Sequence, residues 1–219
     1  MIDATIIVLA KEPVPGRVKT RLCPPCTPEQ AAAIATVALE LTLRSVAAVP
    51  NVRRVVALDG RPGPWLPRGF EVVPQVAGDL GDRLAGAFAA TSGPALLVGM
   101  DTPQITAPQL RALVDHVRVP HVDAILGLTL DGGWWTLGVT DARADLFTDV
   151  PMSSPSTGRH QWERLQSLGL RVHLAPAAVD VDDFASARYV ADLMPRSRFA
   201  AAVHAVASSL PDSLTEIAS

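Results

Sequence analysis

The chain has 219 residues, of which 48% are hydrophobic and 19% charged, and its formal net charge is −3 at pH 7. This composition excludes a disordered chain and a charged coiled coil, and it predicts a single globular domain. The acidic balance argues against general nucleic-acid binding, so we expect no nucleic-acid partner. The sequence has no apolar run of membrane-spanning length and no signal-peptide pattern, so we also expect no membrane partner and a cytoplasmic location.

Strand-like and helix-like segments alternate along the chain, which is typical of βαβ units in a largely parallel sheet. Strands are predicted at residues 5–9, 52–58, 70–73, 94–99, 122–128, 134–139 and 170–174. Helices are predicted at residues 28–48, 79–90, 106–118, 158–167 and 184–193. The predicted fold class is α/β, a single-domain three-layer αβα sandwich with a mainly parallel mixed sheet. We assign residues 1–195 to this domain and residues 196–219 to a C-terminal tail or helix.

The segment at residues 10–22, which we call the basic loop, follows the first predicted strand. It contains four cations and a glycine that permits a tight turn: Lys11, Gly16, Arg17, Lys19 and Arg21. Backbone amides, guanidinium groups and ammonium groups all bind phosphate oxygens. The basic loop therefore predicts a phosphate site, with a solvated cationic turn as the alternative.

Acidic side chains follow three further predicted strands. Asp101 follows the most hydrophobic strand, Asp131 opens a double-glycine turn, and Asp180 and Asp182 lie beyond the last strand. Ligands of open α/β sheets bind at the carboxyl ends of strands, and carboxylates near phosphates are usual ligands of Mg²⁺. Each acid also has a structural alternative, a hairpin turn for Asp131 and a cap for the others. Together with the basic loop, the acids favour a shared metal and phosphate site.

Other motifs are weaker evidence for a functional site. Cys23 and Cys26 form half of a zinc site at most, and small residues beside a turn are the expected alternative. One residue of the pair Trp134 and Trp135 is expected in the core, and the other is a candidate for stacking on a base or sugar. The hydroxyl-rich segment 153–157 is expected to form a loop or a helix cap. The sequence contains no P-loop, no dinucleotide-binding glycine motif and no nucleophile elbow.

Five motifs occur in one order along the chain. They are Lys-x-Pro-x-Pro-Gly-x-x-Lys-Thr-Arg-Leu (11–22), Gly-Asp-Leu-Gly-Asp-Arg (78–83), Gly-x-Asp-x-Pro (99–103), Asp-Gly-Gly-aromatic (131–134) and Asp-Val-Asp (180–182). In this order they resemble the DUF2064 family of glycosyltransferase-like proteins, which is related to small guanylyltransferases. The resemblance covers residues 2–193 and implies the GT-A, or nucleotide-diphospho-sugar transferase, fold.

The resemblance also implies roles for individual residues. The residues that it implies in nucleotide binding are Lys11, Gly16, Arg17, Lys19, Arg21, Gly78, Asp79 and Arg83. The last three would lie near the base or ribose. The implied ligands of Mg²⁺ or Mn²⁺ are Asp101 and one of Asp180 and Asp182. The catalytic candidates are Lys19, Asp101 and Asp131, and Asp131 would line the acceptor side.

The implied activity is Mg²⁺-dependent nucleotidyl transfer from a nucleoside triphosphate to a small phosphorylated or hydroxyl acceptor. Glycosyl transfer from a nucleotide-sugar and a non-catalytic nucleotide-binding module are the alternatives. The partners are then a nucleotide or nucleotide-sugar and a small-molecule acceptor, and a homodimer is compatible with the sequence. The chain departs from the usual family pattern in having Met152-Ser153-Ser154-Pro155 for Trp-Ser-Thr-Pro and Asp183 for a threonine. These departures concern acceptor contacts more than the phosphate and metal site.

Overall fold

The structure, a computed structural model, describes residues 3–209. Its strands are β1 (Ala4–Lys11), β2 (Val52–Asp59), β3 (Glu71–Pro74), β4 (Ala95–Gly99), β5 (Ala124–Thr129), β6 (Trp134–Val139) and β7 (Val172–Ala178). Its helices are α1 (Pro28–Ala47), α2 (Leu80–Ala89), α3 (Ala107–Val117), α4 (Thr157–Ser167), α5 (Phe184–Leu193) and α6 (Arg198–Ala207). Short 3₁₀ turns lie at Thr20–Leu22 and Ala144–Phe147.

The seven strands form one sheet in the order β3-β2-β1-β4-β6-β5-β7. Strand β6 is antiparallel to both of its neighbours, and the other pairs are parallel. Six strands therefore share one direction, and the predicted α/β fold with a mainly parallel mixed sheet is confirmed. The carboxyl ends of these six strands and the beginning of β6 meet at one edge of the sheet.

Both faces of the sheet are covered because its central strands are apolar on both sides. In β4, Leu96 faces the cluster that includes α1 and α3, and Leu97 faces the cluster that includes α2 and α4. Helix α1 begins with the predicted capping box, in which Thr27 and Gln30 exchange side-chain and backbone hydrogen bonds. Each helix layer thus buries one face of the sheet.

A third apolar cluster joins α1 to the C-terminal helices. Helix α1 buries Leu39 against the sheet and Ile34 against α5 and α6. Helix α6 lies within the predicted segment 196–219, and its Phe199 is fully buried in this cluster. Residues 210–219 of that segment lie outside the described residues. Within residues 3–209, no helix has both the length and the apolar character that crossing a membrane requires.

The turn between β5 and β6 packs against the segment that leads into α4. Gly132 has a φ of +91°, and a Cβ at this position would lie 1.8 Å from the carbonyl oxygen of Pro155. The amide of Gly158 also donates a hydrogen bond to the carbonyl oxygen of Gly132 (2.8 Å). This close approach of two backbones positions the turn that carries Asp131.

We expect Gly132→Ala to destabilise the protein more than the matched control Gly169→Ala. Both glycines have positive φ, at which alanine is strained, but a Cβ at Gly169 (φ +74°) would meet no atom within 4 Å. The overlap with Pro155 adds about 1–3 kcal/mol to the loss of unfolding free energy at Gly132. Urea denaturation measures both losses, and equal values would contradict the close approach.

Candidate functional site

The predicted site residues lie at the edge of the sheet where the carboxyl ends of the parallel strands meet. The basic loop follows β1, and the acids Asp101, Asp131 and Asp180 follow β4, β5 and β7. Strand β6 runs in the opposite direction and contributes its first residue, Trp134. The strand order therefore brings together charged residues that are far apart in the sequence.

Lys19 connects the basic loop to the end of β4. Its Nζ donates a hydrogen bond to Oδ2 of Asp101 at 2.6 Å, and its side chain is only 11% exposed. The backbone of Lys19 is left-handed (φ 48°, ψ 42°), a conformation that is uncommon for a residue other than glycine and that is typical of constrained positions. At Lys19 the loop is thus folded back over the strand end, whereas a solvated cationic turn would leave this side chain in solvent.

The Asp-Val-Asp segment is attached to the same two elements. The amide of Val181 donates a hydrogen bond to the carbonyl oxygen of Asp101 (2.9 Å), and Nη1 of Arg21 lies 2.5 Å from Oδ2 of Asp182. Arg21 is 72% exposed, so this ion pair contributes little to stability. Its effect is to orient both side chains at the edge of the site.

The prediction that Asp180 or Asp182 caps the following helix is wrong. The N-cap of α5 is Asp183, whose carboxylate accepts a hydrogen bond from the amide of Ser186, and the N-cap of α3 is Thr106. Asp101, Asp180 and Asp182 are therefore not needed to begin a helix. Asp131 does lie in the hairpin turn between β5 and β6, as the structural alternative predicts, and its role in a site stays a prediction.

Asp180 lies among like charges. The pKa of its carboxyl is raised to about 6, mainly by burial and in addition by the negative charges of Asp101 and Asp131, while Lys19 opposes the shift. A cation placed among these three carboxylates would relieve their repulsion. Asp182 differs, because its carboxylate already faces Arg21.

No group of three or more His, Cys, Asp or Glu side chains among residues 3–209 is arranged to hold a metal ion by itself. Mg²⁺ does not require three protein ligands, since it usually binds one or two carboxylates and completes its coordination shell with waters and substrate phosphates. The hard oxygen donors of Asp101 and Asp180 fit this ion. Cys23 and Cys26 are free cysteines, and burial raises the pKa of the Cys26 thiol to about 11.

A second charged cluster lies at the end of β2, around an acid that the sequence analysis missed. Oδ2 of Asp59 is 3.9 Å from Nζ of Lys11 and 3.4 Å from Nη1 of Arg83. Arg83 also donates a hydrogen bond to the carbonyl oxygen of Gly78, whereas Asp79 caps α2 through a capping box. Asp59 follows a predicted strand just as Asp101 does, so the argument from strand ends could have found it.

Gly16 and Arg17 lie at the tip of the basic loop. Both are exposed, and the side chain of Arg17 forms no ion pair with the described residues 3–209. Of the residues assigned to nucleotide binding, Lys11, Lys19 and Arg83 are thus held by acids at the strand ends, while Gly16 and Arg17 face solvent.

A cavity of about 510 Å³, which we call the pocket, lies beside the acids. Its polar lining includes Arg21, Thr129, Asp131, Ser153, Ser154, Thr157, Asp180 and Asp182. Its apolar lining includes Leu9, Leu80, Leu84, Leu97, Trp134, Trp135, Met152 and Pro155. Among the cations of the basic loop, Arg21 alone lines the pocket, so the pocket and the remaining cations form two adjacent regions.

Asp131 and Trp134 have defined positions in the pocket wall. The hydroxyl of Thr129 and the amide of Gly133 (3.0 Å) both donate hydrogen bonds to Oδ1 of Asp131. The indole of Trp134 stacks on Phe147, with ring centroids 6.3 Å apart. Trp135 is buried (4% exposed), so one residue of the tryptophan pair belongs to the core, as predicted.

Solved structures with the nucleotide-diphospho-sugar transferase fold are similar to this chain. A protein from Desulfovibrio desulfuricans G20, provisionally named a nucleotide-diphospho-sugar transferase, has a TM-score of 0.83 at 21% identity, covering 95% of this chain and 96% of that one. A nucleotidyl transferase from Methanothermobacter has a TM-score of 0.60 at 17% identity, covering 88% and 98%. CMP:2-keto-3-deoxy-manno-octonic acid synthetase complexed with CTP has a TM-score of 0.54 at 16% identity, also covering 88% and 98%.

At these identities the similarity establishes the fold, and it confirms the fold class that the motifs imply. No curated protein sequence matches the chain. The sequence model of the family described as "Uncharacterized protein conserved in bacteria (DUF2064)" matches residues 38–154, more than half of the 219 residues. The chain therefore belongs to the DUF2064 family.

Proposed function

We propose that this protein is a Mg²⁺-dependent transferase that moves a nucleotidyl group from a nucleoside triphosphate to a small acceptor. The observation that carries the proposal is the contact of Lys19 with Asp101 beside Asp180, at the rim of the pocket. It places an ammonium group and two carboxylates, the groups that bind triphosphate and Mg²⁺, next to a cavity that can hold an acceptor. The fold supports the proposal, because similar structures include a nucleotidyl transferase and a synthetase complexed with CTP.

The donor phosphates lie along the basic loop in this proposal. Both lysines of the chain, Lys11 and Lys19, belong to that loop. Their charges are held by Asp59 and Asp101 at 3.9 and 2.6 Å, so they are positioned before a ligand arrives. Fixed cations of this kind stabilise the charge that develops on a phosphoryl group during transfer.

Asp101 and Asp180 are the metal ligands in this proposal, and Asp182 is a partner of Arg21. Asp101 lies two residues beyond the end of β4, and its carbonyl oxygen accepts a hydrogen bond from the Val181 amide, which keeps the two strand ends in contact. A Mg²⁺ ion bound there would neutralise negative charge on the phosphates. Asp131 lies on the pocket side and accepts a hydrogen bond from the acceptor.

Glycosyl transfer from a nucleotide-sugar is the second candidate, and the similarity to the Desulfovibrio protein favours it. It would use the same phosphate and metal region. Asp101-Thr102-Pro103 lacks the second acid of an Asp-x-Asp motif, which is our reason for placing nucleotidyl transfer first. The released product distinguishes the two, since nucleotidyl transfer releases pyrophosphate and glycosyl transfer releases a nucleoside diphosphate.

We expect the preferred nucleoside triphosphate with Mg²⁺ to raise the Tm of the wild type. At a ligand concentration 100 times Kd the gain is about 2.7 kcal/mol, which corresponds to a rise of about 5–10 °C. Asp101→Asn should lose most of this rise and slow turnover on the order of 10²-fold. The control is Asp141→Asn, an exposed acid that follows β6 at the opposite edge of the sheet.

Thermal shift and analysis of released products compare the wild type with both variants. Each protein is measured with each triphosphate and with each nucleotide-sugar. Full retention of the Mg²⁺-dependent shift in Asp101→Asn would refute the assignment of this residue. Release of a nucleoside diphosphate without pyrophosphate would refute nucleotidyl transfer and leave glycosyl transfer.

We expect Asp180→Asn to raise the Tm of the protein in buffer with EDTA, because it removes a partly buried charge that faces two like charges. The rise should be on the order of 2 °C, and the same variant should lose the shift with nucleotide and Mg²⁺. Asp182→Asn is the matched comparison, and it should not raise the Tm, because the Asp182 charge is already paired with Arg21. If Asp182→Asn abolishes the Mg²⁺-dependent shift and Asp180→Asn does not, the ligand assignment is reversed.

We expect bound nucleotide to protect Lys11 from acetylation. With only two lysines in the chain, peptide mass spectrometry assigns each modification without ambiguity. In the free protein Lys11, whose side chain is 39% exposed, should react faster than Lys19, which is 11% exposed. A saturating triphosphate with Mg²⁺ should slow the reaction of Lys11, and the corresponding nucleoside, which lacks phosphates, should not. Equal rates with and without triphosphate would remove Lys11 from the phosphate site.

A further inference from the structure

We propose that the acceptor is an alcohol with an apolar face and without a phosphate or carboxylate group. This inference rests on the proposed function, and it selects the hydroxyl acceptor over the phosphorylated one. It follows from the charge, the apolar wall and the hydrogen-bonding groups of the pocket.

The charge of the pocket disfavours an anion. Three carboxylates line it, those of Asp131, Asp180 and Asp182, against the single cation Arg21. Nη1 of Arg21 lies 2.5 Å from Oδ2 of Asp182 and its charge also interacts with Asp131, so among the described residues of the lining one arginine faces three acids. A phosphate or carboxylate placed here would face like charges, an arrangement that excludes partners in specific sites.

A metal ion at Asp101 and Asp180 does not reverse this argument. The ion would be shared between Asp101, Asp180 and the phosphates of the donor, and it would add no arginine or lysine to the pocket lining. Lys11 and Lys19, which the proposed function places along the donor phosphates, lie outside the pocket lining, as do Arg17 and Arg83. With donor and metal bound, the described lining of the pocket therefore still offers an acceptor phosphate no arginine or lysine other than Arg21.

One wall of the pocket is apolar. Leu9 and Leu97 lie near the ends of β1 and β4, and Leu84 lies on α2. Trp134 and Met152 complete this wall, and the stacking of Trp134 on Phe147 holds its indole in place. Such a wall packs against the C–H face of a ring or a carbon chain. A volume of about 510 Å³ is within the range of small-molecule sites.

The polar groups of the pocket lining suit hydroxyls. Thr129 and Gly133 both donate to Oδ1 of Asp131, and no hydrogen bond from residues 3–209 reaches Oδ2. A carboxylate oxygen without a hydrogen-bond donor from the protein can accept a hydrogen bond from an alcohol. Ser153, which has a left-handed backbone (φ 57°), and Ser154 add hydroxyls to the lining.

An acceptor of this kind reacts through its hydroxyl group at the α-phosphorus of the triphosphate. The hydroxyl oxygen of the acceptor forms a bond to the α-phosphorus of the triphosphate, and the bond from that phosphorus to the bridging oxygen of the β-phosphate breaks. The hydroxyl proton passes to the carboxylate of Asp131, and pyrophosphate leaves with the electron pair of the broken bond. The product is a phosphodiester of the acceptor and the nucleoside monophosphate.

The test uses the full-length protein with Mg²⁺, the nucleoside triphosphate selected by thermal shift, labelled at its α-phosphate, and a bacterial small-molecule extract. Anion exchange divides the extract into a flow-through without anionic compounds and a bound anionic fraction. We expect the flow-through to support transfer of label into a new product and release of pyrophosphate. Phosphatase treatment of the flow-through, followed by removal of the phosphatase, should not reduce this activity.

Matched pairs of pure compounds supply a second measurement: glycerol and glycerol 3-phosphate, ribose and ribose 5-phosphate, glucose and glucose 6-phosphate. In each pair the unphosphorylated member should bind at least as tightly, measured by the change in tryptophan fluorescence with the triphosphate present. Transfer of label only with the anionic fraction, or tighter binding of the phosphorylated members, would overturn the acceptor class and leave the proposed transferase intact. Transfer with neither fraction would contradict nucleotidyl transfer itself, and the acceptor class would fall with it.

Discussion

The ion pair between Lys19 and Asp101 is the contact on which the rest of the site depends. It joins the basic loop after β1 to the end of β4, two segments that are 82 positions apart in the sequence. The carbonyl oxygen of Asp101 also accepts the Val181 amide, so the segment after β7 is attached to the same residue. One strand end thus holds Lys19, the segment that carries Asp180 and one side of the pocket in a single arrangement.

The acids at this edge are held close to one another against their mutual repulsion. The raised pKa of Asp180 is the consequence, since burial and two neighbouring negative charges disfavour its ionised form. Such an arrangement lowers the stability of the free protein, and it is typical of sites whose geometry serves a ligand. The well-packed sheet, with Leu96 and Leu97 covered on opposite faces, tolerates this local loss.

Much of the fold could be predicted because its signals are local. The capping box of Thr27 and Gln30 marks the beginning of α1, and the apolar run of β4 indicates a strand covered on both faces. Local signals were less informative where several acids compete for one role. The N-cap of α5 is Asp183, and the acid at the end of β2, Asp59, was missed although the same argument applies to it.

The sequence by itself determined the elements, their alternation, the family motifs and the charged residues that follow the strands. Only the tertiary structure decided which charges meet: Arg21 with Asp182, 161 positions apart, and Lys11 and Arg83 with Asp59. It also decided that Asp131 faces a pocket with an apolar wall. The physical reason is that these contacts depend on strand order, on the insertion of the antiparallel β6 between β4 and β5, and on loop conformations such as the left-handed Lys19. Local periodicity does not encode these features, because they result from packing between segments that are distant in the chain.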